Sequence, residues 1–442
     1  MNLLGKEAAP LFRLSVPIVI GQLGIIVLGF ADTLMVGHHS TAELAAAGFV
    51  NNVFSFILLF YLGFSYGLTP IVGRLYGQRR GDELGAKLKN AVVANGFVGL
   101  LLTAAMVLLY FNLHRIGQPE ELLPLIRPYF LVNLGSLLFV GLFNTLKQLF
   151  DGTTDTRSPM WMMVGGNCVN ILLNWLLIYG VAGLPELGLL GAGVATLTAR
   201  VLTAMGLGVV FLLAKRCQPY RDGWRKGRLN RVDFGEMNRM GWPLAFQLGV
   251  ESAAFSLCSV MVGWIGTTAL AAHQVMITLS QLFYMVYYGI GAAVSIRVSN
   301  YVGQGDYGAV RRNAATGFRM VLLLALVFSI PVFLLRHEIG GWFNDSHEVK
   351  VLVSVVIIPL LTYQFGDGLQ IVYGNSLRGI GCVKPLATYA FAAFFLVNIP
   401  LSYVLGLVFD FGLVGVWYAY PFGLTLAGWL YWRKFRLSTA KG

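Results

Sequence analysis

Charged residues are scarce in this sequence: Asp, Glu, Lys and Arg make up 12% of its 442 residues, whereas 57% are hydrophobic. A soluble globular chain carries about 25% charged residues. Apolar segments recur from one end of the chain to the other, so no stretch has the composition of a soluble domain. The composition therefore excludes a soluble protein and predicts an integral membrane protein, embedded in the lipid bilayer along its whole length.

Cysteine and nucleotide-binding motifs are also lacking. The four cysteines are widely separated and form no C-x-x-C pair, which argues against a disulfide framework or a metal site. No stretch reads G-x-x-x-x-G-K-[ST], so the sequence gives no support for a nucleotide-driven pump. His273 is the one histidine expected inside an apolar segment, and no catalytic partner is visible for it. We therefore expect neither an enzyme nor a cofactor.

Twelve apolar segments are long enough to cross a bilayer, since a helical span needs about 20 apolar residues. The first of them is too long for a cleavable signal peptide. They lie near residues 11–36, 47–72, 88–112, 123–149, 160–181, 189–214, 240–264, 269–296, 309–335, 350–377, 385–409 and 412–432. The sequence thus predicts an all-α fold of twelve transmembrane helices.

The basic residues are unevenly distributed between the connections. Nearly all Lys and Arg fall at the two termini and at the even-numbered connections, as in "KRCQPYRDGWRKGRLNR" after the sixth span. Because positively charged connections stay in the cytoplasm, we expect both termini on the cytoplasmic side of the inner cell membrane. The same asymmetry accounts for the net charge of +12 without a nucleic-acid partner.

The chain contains an internal duplication. The segment "PIVIGQLGIIVLGFADTLMVG" from residue 17 has a counterpart in "PLAFQLGVESAAFSLCSVMVG" from residue 243, and later pairs keep an offset of 223–231 residues. This predicts a six-span N-lobe over 1–214, a basic cytoplasmic linker over 215–238 and a six-span C-lobe over 239–442. Because six is even, the two repeats are parallel. Duplicated helical halves with a site between them are a known plan of secondary transporters.

Several of these segments resemble the multidrug and toxic compound extrusion (MATE) family, in its NorM-like branch. The resemblance rests on "LGFADTLMVGHHSTAELAAAGF" and "GLTPIVGRLYGQRRGD" in the first half, and on "LAAHQV" and "VSNYVGQGD" in the second. It implies twelve helices in two lobes around a central cavity. It also implies a multidrug efflux antiporter that exports small organic cations in exchange for Na⁺ or H⁺.

One carboxylate and three neutral oxygen donors stand out in the spans of the N-lobe. Asp32 lies in the outer part of span one, where a carboxylate must be paired, bind a cation or take up a proton. Asn170 and Asn174 share one face of span five, and Thr196 lies in span six. The resemblance implies that these three surround Asp32 in a cation or proton site. A neutral aspartic acid that is hydrogen-bonded between helices is the alternative.

The C-lobe has no counterpart of this aspartate and carries its acidic residues in other spans. Span seven contains Glu251, with Gln247 one turn earlier on the same face. Span ten contains Asp367, with Tyr363 one turn earlier. The resemblance implies that Glu251, Tyr363 and Asp367 bind the coupling Na⁺ or hold a proton, with Gln247 in a supporting position.

Other interpretations of the duplicated fold stay open at this point. A lipid or glycolipid flippase would favour a cationic cavity, whereas the charges inside the spans are mostly acidic. A membrane-embedded enzyme would need a catalytic partner for His273. We expect this histidine to be a hydrogen-bonded packing residue with at most a supporting role. The coupling ion, the lobe that couples and the partner of Arg200 are left open, and a monomer is expected.

Overall fold

The computed structural model describes residues 5–115, 117 and 119–440. Over these residues the chain is helical and contains no strand. This is the form expected inside a bilayer, because a helix satisfies its own backbone N–H and C=O groups where water is absent.

The helices vary widely in length. Within the described residues they are, in chain order, α1 (Ala8–His39), α2 (Thr41–Ser65), α3 (Leu68–Gly77), α4 (Gly81–Phe111), α5 (Leu123–Gly152), α6 (Arg157–Ile178), α7 (Leu189–Leu213) and α8 (Gln218–Lys226). They continue with α9 (Arg231–Ile265), α10 (Thr267–Gln304), α11 (Tyr307–Leu334), α12 (Arg336–Phe343), α13 (His347–Gly379), α14 (Lys384–Phe391), α15 (Ile399–Tyr403) and α16 (Gly412–Thr439). The chain is π-helical over Ala392–Asn398 and Val404–Val408, on either side of α15.

Twelve helical segments among the described residues are long and apolar enough to cross a membrane. This confirms the number of spans predicted from the sequence. Several helices continue past the apolar stretch into charged residues: the span predicted at 240–264, for example, belongs to a helix over Arg231–Ile265. The chain is therefore a multi-pass membrane protein.

The described residues form two compact units. The N-unit runs from Ile20 to Ala245, and the C-unit contains the residues up to Val19 together with those from Phe246 onward. Both divisions fall inside long helices, α1 and α9, so each of these helices contributes to both units. The lobe boundaries predicted from the sequence, with a linker at 215–238, stay a prediction.

Basic and acidic side chains form an ionic cluster in the N-unit, between α3, α4 and the start of α9. Lys87 contacts both Asp233 and Glu236, and Arg74 contacts Glu236 at 2.8 Å. The side chains of Lys87, Asp233 and Glu236 are only 14–19% exposed, so water screens their charges weakly. The cluster holds the start of α9 against α3 and α4.

Replacing Lys87 by methionine is expected to destabilise the protein by about 3 kcal/mol, because two poorly solvated carboxylates lose their shared cation. The measurement is the thermal unfolding midpoint of the purified protein in detergent. Glu83→Gln is the matched control, since its ion pair with Arg80 is about half exposed and such pairs contribute about 1 kcal/mol or less. Equal midpoints for the two variants would contradict a stabilising role of the cluster.

The start of α1 is attached to α10 within the C-unit. Glu7, just before α1, accepts hydrogen bonds from Arg297 and from Tyr301, both at 2.8 Å. Further along α1, Val19 packs so closely against Gly289 that a Cβ added to this glycine would lie 2.3 Å from a Val19 methyl carbon. A polar anchor and a tight helix contact thus hold the first part of α1 on α10.

Candidate functional site

In the N-unit, Asp32 and three neutral side chains form one hydrogen-bonded chain across three helices. Asn174 of α6 donates from Nδ2 to a carboxylate oxygen of Asp32 in α1, and also to Oδ1 of Asn170 at 3.0 Å. Asn170 in turn donates to the hydroxyl oxygen of Thr196 in α7, at 3.1 Å. Both asparagines are completely buried. One carboxylate and several neutral oxygens are therefore gathered in a place with little access to water.

A positive charge lies beside this chain. Arg200 of α7 is close enough to Asp32, and to Tyr129 of α5, for electrostatic interaction, and its Nη1 donates to the Ser136 hydroxyl at 2.5 Å. A guanidinium group does not lose its proton in a protein, so Asp32 is subject to a permanent positive charge. These contacts supply the partners of Arg200 that could not be identified from the sequence.

In the C-unit, two amides hold the side chain of Glu251. Its Oε1 accepts from Nε2 of Gln247, one turn earlier on α9, at 3.1 Å, and from Nε2 of Gln370 on α13, at 3.0 Å. Gln370 was missed by the sequence analysis. It follows Asp367 by three residues, which places both on one face of α13, so helical spacing was the signal that could have found it.

Asp367 lies near Glu251 with few polar contacts of its own. The residue is 8% exposed, and its carboxylate interacts electrostatically with that of Glu251. No described residue donates a hydrogen bond to the carboxylate of Asp367. Two carboxylates that interact in apolar surroundings cannot both keep an unbalanced charge. A bound cation or a proton resolves this conflict.

Tyr363 precedes Asp367 by one turn on α13 but donates to neither carboxylate. Its hydroxyl donates to Ser280 of α10 at 2.5 Å, and its ring stacks on Trp417 with the ring centroids 6.1 Å apart. The phenol still lies within electrostatic range of Asp367. Tyr363 thus borders the carboxylate pair, and its place in a cation-binding group stays a prediction.

His273 forms hydrogen bonds with both ring nitrogens. Trp417 donates from Nε1 to His273 Nδ1 at 3.1 Å, and His273 Nε2 pairs with the Ser259 hydroxyl at 2.9 Å. Because Nδ1 accepts a hydrogen bond, the proton of the neutral ring is on Nε2. The histidine is completely buried, and its contacts are those of a packing residue inside the C-unit.

Both clusters suit a light cation or a proton. Carboxylate, amide and hydroxyl oxygens are the ligands that hard cations prefer, whereas transition metals favour imidazole and thiolate. Within the part of the chain that the structure describes, no group of three or more His, Cys, Asp and Glu side chains is placed to hold a metal ion. The oxygen atoms of both clusters are therefore of the kind that hard cations prefer.

A model of the MatE family matches this chain twice, over residues 17–176 and 243–404. The two matches begin at the residues where the duplicated segments begin. Together they cover most of the chain, so the duplication of the sequence is a property of the family as well.

Solved structures of transporters share the fold along its full length. A MOP superfamily transporter from Pyrococcus furiosus is 20% identical, with a TM-score of 0.89 over 99% of this chain and 96% of that chain. An outward-facing multidrug resistance MATE family transporter of the MOP superfamily is 19% identical, with a TM-score of 0.90 over 99% and 97%. A variant of the Vibrio cholerae MATE transporter VcmN is 17% identical, with a TM-score of 0.88 over 100% and 99%. At such identities the likeness shows the fold alone.

Proposed function

This chain belongs to the MatE family of membrane transporters, and we propose that it is a secondary antiporter that exports amphipathic, often cationic organic compounds in exchange for Na⁺ or H⁺. As a member of a transporter family, it is not an enzyme. The proposal assigns ion coupling to the two clusters, with Asp32 in the N-unit and with Glu251 and Asp367 in the C-unit. It also places the chain in the NorM-like branch of the family.

The carboxylate pair of Glu251 and Asp367 carries this proposal. A charged side chain at membrane depth costs about 2.5–3.5 kcal/mol on insertion scales, and two of them interact here. Binding of Na⁺ or of a proton removes part of that cost. An ion drives transport only if it binds one conformation more tightly than the other. The affinity of buried carboxylates for an ion changes when their surroundings change, so this pair provides a difference in affinity between two conformations.

The distribution of positive charge along the chain indicates its orientation in the membrane. Lys and Arg are concentrated at the two ends of the chain and at the even connections, and positively charged connections stay in the cytoplasm. We therefore propose that both termini are cytoplasmic. We also propose that the protein lies in the inner membrane and that it works as a monomer. Export by alternating access then moves small organic cations outward while the coupling ion moves inward.

Efflux of a fluorescent organic cation from oriented proteoliposomes tests the proposal. An imposed Na⁺ gradient at constant pH and a pH gradient without Na⁺ are compared, and one of them is expected to accelerate efflux. An ionophore that collapses this gradient should abolish the acceleration. If neither gradient moves the cation with wild-type protein, the antiporter proposal fails and lipid substrates are tested next.

A further inference from the structure

Several buried polar atoms in the C-unit have no hydrogen-bond partner among the described residues. They belong to three helices that pack against one another, α10, α11 and α13. The atoms are Oη of Tyr287, Oγ of Ser295, both amide atoms of Asn313, Oε1 of Gln370 and Oδ1 of Asn375. The side chains of Tyr287, Ser295 and Asn313 are completely buried.

Such atoms are costly when nothing pairs with them. A buried polar group without a hydrogen bond destabilises a protein by about 1–3 kcal/mol. In folded proteins most buried polar groups that lack a protein partner bind ordered water. Leucine would replace Asn313 with a similar shape and no polar atoms, so stability alone does not explain the asparagine.

The series begins at the carboxylate pair. Gln370 donates to Glu251 through Nε2, while its Oε1 has no partner among the described residues. The Tyr287 hydroxyl lies within electrostatic range of Asp367. One of the unpaired atoms therefore belongs to an amide that binds Glu251, and a second, the Tyr287 hydroxyl, interacts electrostatically with Asp367.

From there the series follows the contact between α10 and α13 toward the ends of both helices. Gly291 lies opposite Asn375, because an added Cβ would be 2.8 Å from Asn375 Nδ2. One turn later, Ser295 lies opposite Gly379, where an added Cβ would be 2.8 Å from the Ser295 carbonyl oxygen. The two helices thus run side by side in the same direction, with unpaired polar atoms at successive turns.

Helix α11 joins this contact at the same level. Gly317 packs against Val294 of α10 and Val372 of α13. A Cβ added to this glycine would lie 2.3 Å from a methyl carbon of Val294 and 3.7 Å from a methyl carbon of Val372. Asn313 precedes Gly317 by one turn, on the side where α11 begins and α10 ends. Its amide therefore lies on the route from the carboxylates to the end of α13.

We propose that these atoms bind a file of ordered water molecules between Asp367 and the Gly379 end of α13, and that protons exchange with solution along it. The file spans twelve residues of α13, or about 18 Å at the helical rise. Asp367 gives its proton to the first water, each water passes one proton on, and the last releases one to solution. The carboxyl group becomes a carboxylate and the waters are unchanged. This inference rests on the proposed function, with H⁺ as the coupling ion.

Labelling by a small thiol reagent tests for the water, independently of transport. In a background without the four native cysteines, Ser295→Cys and its apolar neighbour Val294→Cys are treated with methyl methanethiosulfonate in proteoliposomes. A thiol reacts as the thiolate, which needs water, so Ser295→Cys should react about tenfold faster or more. Equal rates for the two variants would overturn the proposal.

Transport by Asn313→Leu tests whether protons use the file. This variant should have a thermal midpoint close to that of the wild type, because leucine has a shape similar to that of asparagine and leaves no polar atom of its own to be paired. Its efflux under a pH gradient should nevertheless fall about tenfold, which corresponds to a barrier raised by about 1.4 kcal/mol. Ser299→Ala is the control, since the Ser299 hydroxyl already donates to the Ile296 carbonyl at 2.8 Å and its loss should leave the rate unchanged.

The two experiments separate the possible failures. Wild-type efflux by Asn313→Leu overturns the proposed proton path. Wild-type protein that transports under neither gradient counts against the proposed function instead, and the labelling of Ser295→Cys still decides whether water is bound.

Discussion

Asparagine in place of Asp367 is expected to lower gradient-driven efflux by about 100-fold or more, because the ion then no longer binds one conformation more tightly than the other. The amide keeps the size of the carboxyl group but carries no charge for Na⁺ or a proton to neutralise. The measurement is the initial rate at which a fluorescent cation leaves proteoliposomes, under the gradient that drives the wild-type protein.

Two further variants make this result specific. Asp410→Asn is the same chemical change at an exposed aspartate between α15 and α16. Asparagine readily adopts the left-handed backbone found there, with φ of 57°, so efflux should equal that of wild type. Asp32→Asn compares the two units. If this variant loses efflux while Asp367→Asn keeps it, the N-unit couples transport and the carboxylate pair does not.

Methionine in place of Arg200 is expected to destabilise the protein by about 3 kcal/mol, because Asp32 loses a positive charge that interacts with it and the Ser136 hydroxyl loses its donor. Methionine keeps much of the apolar length of the side chain, so the loss is mainly electrostatic. The thermal midpoint in detergent measures it. In the Asp32→Asn background the same substitution should cost about 1–2 kcal/mol less, because no carboxylate is left to stabilise.

Arg200→Lys separates charge from shape, because lysine keeps the positive charge but lacks the planar set of donors. It should be more stable than Arg200→Met. If Arg200→Met costs as much in the Asp32→Asn background as in the wild type, Arg200 does not stabilise the protein through Asp32.

Spacing along single helices explains what the sequence could predict. The twelve spans follow from runs of apolar residues, each long enough for a bilayer. Asn170 and Asn174 are four residues apart, so helical periodicity alone places both on one face of α6. The same rule places Gln247 next to Glu251, which it contacts at 3.1 Å.

Contacts between distant segments explain most of what the sequence could not predict. Arg200 meets Ser136, which lies 64 residues earlier in the chain, and the hydroxyl of Tyr363 reaches Ser280 rather than the carboxylate one turn away. Such pairings depend on how helices pack, which periodicity does not specify. The π-helical turns around α15 are likewise invisible in a pattern of polar and apolar residues, because their i→i+5 hydrogen bonds are made by the backbone and not by the side chains.

The attachment of α1 to α10 means that the start of α1 meets its native partner late in biosynthesis. Val19 packs against Gly289, which is translated about 270 residues later. At about 5–20 residues per second, the first part of α1 waits about 15–55 s for this partner. The C-unit thus becomes complete only after the residues from Phe246 onward have been synthesised and have joined the start of α1. A nascent chain that ends before α10 therefore leaves the start of its first helix without this native contact.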